Sequence, residues 1–149
     1  MFVLNQINIT KVKLESFDKI IAVDIEVIGN DSRRKYIKKA VEEERCLVAL
    51  HRGKIVGFLI FDTNFFDNSF ISLIIVSPNE RRKGCATALI EFFVDASPTL
   101  KIFSSTNQSN VEMQKVFNSN GFVRSEIVEN LDEGDSEIIY YKTKGTKNY

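Results

Sequence analysis

Twelve residues constrain this chain more than any others: Val76-Ser77-Pro78-Asn79-Glu80-Arg81-Arg82-Lys83-Gly84-Cys85-Ala86-Thr87. The run before them, Phe70 to Val76, is almost wholly apolar and reads as a strand buried on both faces. After them Ala86, Leu89, Ile90 and Phe93 recur at helical spacing, which gives a helix from about Arg81 to Ala96 one core-facing side. A strand, a turn and a helix in direct succession aim a helix N-terminus out of a sheet. Such an end leaves backbone N–H groups without partners, carries about half a positive charge and binds phosphate. Gly84 and Ala86 remove side-chain bulk, and Arg81, Arg82 and Lys83 add three positive charges. Those cations lie at the helix end where each costs about 0.3–1 kcal/mol; an anionic ligand reverses that sign. The other reading of a cation run is a solvated basic turn.

The flanking segments place this unit in a mixed sheet. Val3 to Leu14 alternates weakly and reads as a strand. Ser16 suits the N-cap of a helix reaching Ile28, with Gly29 as its stop. Asp31 or Ser32 suits the cap of a second helix ending near Glu44. Cys46–Leu50 and Lys54–Phe61 read as strands around the turn His51-Arg52-Gly53. Further on come a strand over Leu100–Ser105, a helix over Ser109–Asn118 closed by Gly121, and strands over Phe122–Val128 and Glu137–Lys142. The turn Asp132-Glu133-Gly134 joins those last two strands. Lys144 to Tyr149 read as a frayed tail. The order predicts an α/β (α+β) fold: a mixed, mostly antiparallel sheet of about seven strands flanked by about four helices. At 149 residues the chain suits one domain, residues 1–149.

Composition narrows the function classes. Twenty basic and twenty acidic side chains cancel, which disfavours a general nucleic-acid binder, since that function neutralises many phosphates. Cys46 and Cys85 form no C-x-x-C pair, and His51 is the single histidine, so no metal site is expected. The opening residues lack a basic region followed by an apolar run, and no stretch approaches about 20 apolar residues. A cytoplasmic protein with reduced thiols and no membrane partner is expected. A Rossmann-type nucleotide domain is disfavoured, because no G-x-G-x-x-G follows the first strand. Phe61 with Phe65 and Phe66 marks a contact patch if they are exposed, and the chain reads as a monomer or homodimer.

The pattern Arg81-x-x-Gly84-x-Ala86, set between Val76-x-Pro78 and Leu89, resembles the pyrophosphate loop of the GNAT superfamily of N-acetyltransferases. Ser105 to Asn110, Phe117 and Gly121-Phe122 fall at that family's spacings too. The resemblance covers about Phe58 to Tyr140. It implies a GNAT-like acyl-CoA N-acyltransferase fold, acetyl-CoA as cosubstrate, and an amine of a small molecule or peptide as acceptor. It implies that Arg81, Arg82, Lys83, Gly84, Cys85, Ala86 and Thr87 hold the pyrophosphate. Ile74, Ile75 and Val76 pair with the pantetheine arm, and Asn107, Asn110 and Phe117 border it. For the two asparagines, helix capping is the alternative.

Amine acetylation needs a neutral amine. An alkyl amine titrates near about 10.4, so deprotonation at neutral pH costs about 4–5 kcal/mol. Many members of the family supply the thiolate's proton from a Tyr four residues before the Gly-Phe pair; this chain has Phe117 there. The strand before the loop carries no acid, where many members have a Glu. A non-catalytic acyl-CoA sensor is the alternative those gaps suggest. Asp24 falls mid-face among Phe17, Ile20, Ile21 and Ile28, as a structural ion pair or as a base of raised pKa. Glu129 to Glu137 holds five carboxylates and reads as a solvated turn or as a surface favouring a cationic acceptor. Within it Asp135 and Glu137 are candidate bases. One of Tyr140 and Tyr141 faces inward, and Tyr140 is the candidate phenol. Cys85 reads as packing, with no histidine near it in sequence.

Overall fold

A computed structural model describes residues 6–145. The elements run β1 (Ile7–Lys11), α1 (Phe17–Ile28), α2 (Arg34–Glu42), β2 (Cys46–His51), β3 (Lys54–Phe65), β4 (Asn68–Val76), α3 (Cys85–Ala96), β5 (Lys101–Asn107), α4 (Val111–Ser119), β6 (Val123–Val128) and β7 (Glu137–Thr143). The seven strands form one sheet in the order β1-β2-β3-β4-β5-β7-β6. The β4–β5 pair is parallel, with Ser69 opposite Ile102 and Ile71 opposite Ser104, and β4 continues to Val76. The pairs β1–β2, β2–β3, β5–β7 and β6–β7 are antiparallel. This is the mixed, mostly antiparallel architecture that the sequence predicts. Among the described residues no helix is long and apolar enough to cross a membrane.

The chain divides into two compact units. One comprises Met1–Phe61 with Leu73–Phe92, the other Asp62–Ser72 with Phe93–Tyr149. In the first, α1 and α2 bury Phe17, Ile20, Ile21, Ile37 and Val41 against Val48, Phe58 and Ile60 of the sheet. Gly29 ends α1 in the left-handed conformation at φ 82°, its N–H donating to the Ile25 carbonyl at 2.7 Å. Arg52 and Gly53 carry the β2–β3 turn at φ 54° and 76°, both left-handed as a tight hairpin demands. In the second unit Phe117, Phe122 and Tyr140 form a fully buried aromatic cluster, and Gly121 turns the chain at φ 83°.

Several boundaries depart from the sequence expectation. β1 starts at Ile7 and ends at Lys11, short of the expected Leu14; residues 3–5 of the expected strand lie outside the described residues. α2 begins after Arg33, with no side-chain cap from Asp31 or Ser32. Asn30 instead organises the turn by accepting from the Ser32 N–H, and Arg33 is committed to Asp24. Glu44 at φ 59° ends the helix early. β3 runs four residues past Phe61 to Phe65. β4 is not buried on both faces: Ser69, Ile71 and Ile75 are buried, while Phe70, Ser72, Ile74 and Val76 are half-exposed. Phe70 stacks on Phe65, which also meets Phe66 and Phe103, and Phe66 is 84% exposed. α3 begins at Cys85, not Arg81, because Arg82 at φ 63° and Gly84 at φ 84° leave the helical region. Cys85 then takes the core position expected of Ala86, which is only half-buried. At the C-terminus Lys144 is tied down, its N–H to the Leu100 carbonyl and its ammonium to the Ser97 carbonyl; residues 146–149 lie outside the described residues.

Candidate active site

The segment between β4 and α3 is built to present backbone donors. Pro78–Glu80 forms one 3-10 turn, with the Glu80 N–H donating to the Ser77 carbonyl at 2.9 Å. Arg81 is extended, Arg82 is left-handed, and Gly84 is left-handed again. That alternation coils the chain into α3, whose first closed bond runs from the Ala88 N–H to the Gly84 carbonyl at 2.9 Å. A helix end of this kind leaves its first N–H groups for an external acceptor. A Cβ added at Gly84 meets nothing within 4 Å, so the space over the turn is open. Arg81, Arg82 and Lys83 are exposed around it. The loop therefore has the shape, the donors and the charge that a diphosphate requires.

Side chains fix this loop from several directions. Arg81 Nε donates to the Val76 carbonyl at 3.3 Å, which ties the loop to the strand before it. Ser77 Oγ donates to Glu26 of α1 at 2.6 Å. Glu80 lies 3.0 Å from His51 Nδ1 and 3.8 Å from Lys83 Nζ. Nothing in the sequence pairs His51 with Glu80, because they are 29 residues apart and meet only through the β2–β3 hairpin. Gly57 carries a close approach: a Cβ there would lie 2.9 Å from both Cys85 Sγ and the Ile75 carbonyl. Cys85 is buried, and its thiol is pushed up to about 11, first by burial and then by the charge of Glu80. It packs as a neutral thiol. A groove of about 640 Å³ opens between α1, the β2–β3 hairpin and the 3-10 turn, with Lys19, Lys54, Glu26 and Glu80 in its wall.

The residues expected along the cofactor arm fall into two groups. Ile74 and Val76 are half-exposed at the end of β4, and Ile75 is turned inward. In the second unit, Asn110 is the N-cap of α4, its Oδ1 accepting from the Met113 N–H at 3.1 Å. Asn107 donates to Asp132 at 2.9 Å. Phe117 is 1% exposed and packs on Phe122 and Tyr140. Thr87 is half-buried in the first turn of α3.

The candidate proton carriers lie in different surroundings. Asp24 is 1% exposed and takes a two-pronged pair from Arg33, NH2 to Oδ1 at 2.6 Å and Nε to Oδ2 at 3.2 Å. Tyr140 is 1% exposed within the aromatic cluster, while Tyr141 stacks on Phe103. Asp135 accepts from the N–H and the hydroxyl of Ser109, at 3.0 and 2.6 Å. Glu137 is half-exposed at the start of β7 and accepts from Ser105 Oγ at 2.6 Å. The acidic turn is thus stitched onto the β5–α4 loop by polar donors. Among the described residues no three His, Cys, Asp or Glu side chains cluster as a metal site would need.

No curated protein matches the chain. The family model described as Acetyltransferase (GNAT) family matches residues 14–122. Among solved structures, a GNAT-family acetyltransferase from Bacillus cereus is 58% identical, with a TM-score of 0.90 over 93% of this chain and 98% of that one. The ribosomal-protein-S18-alanine N-acetyltransferase of Escherichia coli shares the fold at 18% identity, TM-score 0.81, over 96% of this chain and 97% of its own. So does yncA from Salmonella typhimurium, solved with its cofactor acetyl-CoA, at 13% identity and TM-score 0.75 over 92% and 93%. A family model spanning most of the chain and a relative identical at more than half its positions lead to one conclusion: this protein belongs to the GNAT family of acetyltransferases.

Proposed function

We propose that this acetyltransferase moves an acetyl group from acetyl-CoA directly to a primary amine of a small molecule or peptide, as a single-domain enzyme. The observation that carries the reading is the open, doubly left-handed turn at Arg82 and Gly84 feeding the N-terminus of α3. The loop Arg81–Thr87 binds the pyrophosphate, and the backbone of β4 at Ile74–Val76 receives the pantetheine arm. The acetyl-CoA bound in the Salmonella neighbour supports that choice of cosubstrate. Acetyl-CoA supplies the activated thioester; the chain's own residues must orient the amine and take its proton. Among the four candidate proton carriers, the surroundings favour Glu137. Asp24 is held by Arg33, both oxygens of Asp135 are engaged by Ser109, and Tyr140 is sealed in the aromatic cluster. Glu137 is half-exposed and its Ser105 bond leaves Oε1 to meet an amine.

Isothermal titration with acetyl-CoA tests the cofactor site. Wild type binds, and Gly84→Glu, which puts a negative side chain over the turn, loses at least tenfold in affinity. A left-handed residue other than glycine costs about 1–2 kcal/mol. Gly84→Asn, which tolerates that conformation better and adds no charge, therefore separates strain from repulsion. Equal affinity in wild type and a folded Gly84→Glu would move the cofactor elsewhere.

A further inference from the structure

His51 is the single histidine of the chain, and neither the pyrophosphate loop nor the transfer chemistry uses it. Its ring is nonetheless built into the protein. The side chain is 12% exposed, with Nδ1 3.0 Å from Glu80 Oε1. Nε2 is buried and has no hydrogen-bond partner among the described residues. Glu80, 18% exposed, extends its other oxygen to Lys83 Nζ at 3.8 Å. Lys83 in turn is one of the three cations of the pyrophosphate loop. A chain of contacts therefore leads from a half-buried imidazole through a carboxylate to an ammonium of the loop proposed for the cofactor.

We propose that His51 is a positioning residue for the cofactor: by setting how far Glu80 is neutralised, it decides how freely Lys83 can engage the diphosphate. The inference rests on the cofactor site assigned above. With a neutral ring, Glu80 keeps its full negative charge, holds Lys83 and repels a diphosphate bound a few residues away. With a protonated ring, the His51–Glu80 pair is neutral and Lys83 is released to the ligand. An anion arriving at the loop adds to the negative charge that Glu80 already places beside the ring. Lys54 is the register partner of His51 on β3 and Arg52 follows it in the turn, while Lys19 and Glu26 of α1 share the groove wall with Lys54 and Glu80; Ile7, its partner on β1, is apolar. The Cys85 thiol, raised by burial and by Glu80, stays neutral throughout.

Proton and ligand are then linked: binding must raise the proton affinity of His51 by the same factor by which protonation tightens binding. Affinity then falls as rising pH removes the proton from the ring. A lone histidine gives one unambiguous ring resonance in a proton NMR titration. The ligand is dephospho-CoA, because a phosphate monoester itself titrates near about pH 6 and would confuse the profile. The expected result is an upward shift of the His51 titration of about half a pH unit on saturation, matched by about threefold tighter binding at the acid end. In Glu80→Gln most of that shift disappears, and His51→Gln, which keeps a donor to Glu80, binds with no pH dependence. Binding without a shift in the resonance overturns the proposal. So does a full shift retained in Glu80→Gln, since the field of the ligand would then act on the ring directly. Failure of wild type to bind at any pH sinks both this inference and the cofactor site beneath it.

Discussion

The two cysteines show how burial decides chemistry at the scale of one residue. Cys46 is pushed up to about 12 by burial, which outweighs the opposing charge of Arg45, and Cys85 is pushed up to about 11 by burial and by Glu80. A thiolate is the nucleophilic form, and burial disfavours it at both positions, which supports the proposed direct transfer over a ping-pong route through an acetyl-cysteine. The same shifts make stability depend on pH. In the unfolded chain each thiol titrates near 9.0; in the folded chain it holds its proton longer. The native state thus binds more protons above pH 9, and stability falls as pH rises through that value towards the folded pKa. Urea unfolding at pH 8.5 and 10 should show Cys46→Ala losing about 1 kcal/mol less between the two than wild type does. A parallel loss in both proteins would mean that Cys46 titrates as in the unfolded chain.

Between elements, the pair Asp24–Arg33 ties the C-terminal half of α1 to the residue that precedes α2. The Asp24 side chain is 2% exposed and Arg33 30%. That asymmetry predicts unequal costs. Arg33→Ala strands a buried carboxylate, for which about 3–5 kcal/mol is usual. Asp24→Ala leaves an arginine that can swing its head to water, and should cost about 1–2 kcal/mol. Urea midpoints at unchanged m-values measure both; equal losses would show that Asp24 is not dependent on Arg33. The element order was legible in the sequence because apolar spacing distinguishes strand from helix and Gly29, Gly53 and Gly121 mark the stops. The start of α2 was not, since it follows from the partner of Arg33 nine residues back. Nor was the start of α3: a left-handed Arg82 carries no compositional signal, whereas Gly84 does. The loop proposed for the cofactor could be singled out in the sequence because its backbone donors and cations are consecutive in the chain. The His51–Glu80 contact and the bonds of Ser105 to Glu137 and Ser109 to Asp135 could not, because each depends on strands that pair only after folding.

Across the whole molecule, zero net charge hides a local segregation of sign. Three cations are consecutive at Arg81–Lys83, and five carboxylates fall between Glu129 and Glu137. The structure divides those carboxylates by task. Asp132, Asp135 and Glu137 accept bonds from Asn107, Ser109 and Ser105, so neutralising them also loosens the β5–α4 loop. Glu129 and Glu133 are exposed and accept no such bond in that loop, which leaves their charge free to act at a distance. If the acceptor is a cation, these two raise its local concentration without touching it. The double variant Glu129→Gln/Glu133→Gln should then raise the KM for a diamine or polyamine about two- to fivefold at low salt and leave kcat unchanged, as expected when only encounter and ground-state binding are lost. Near 1 M salt, where screening cuts the reach of a charge to about 3 Å, the two proteins should converge. An acceptor amine without a second positive charge should feel the change far less. A KM difference that persists in high salt would mean direct contact instead of a field, and no difference at any salt would remove the acidic turn from acceptor recognition.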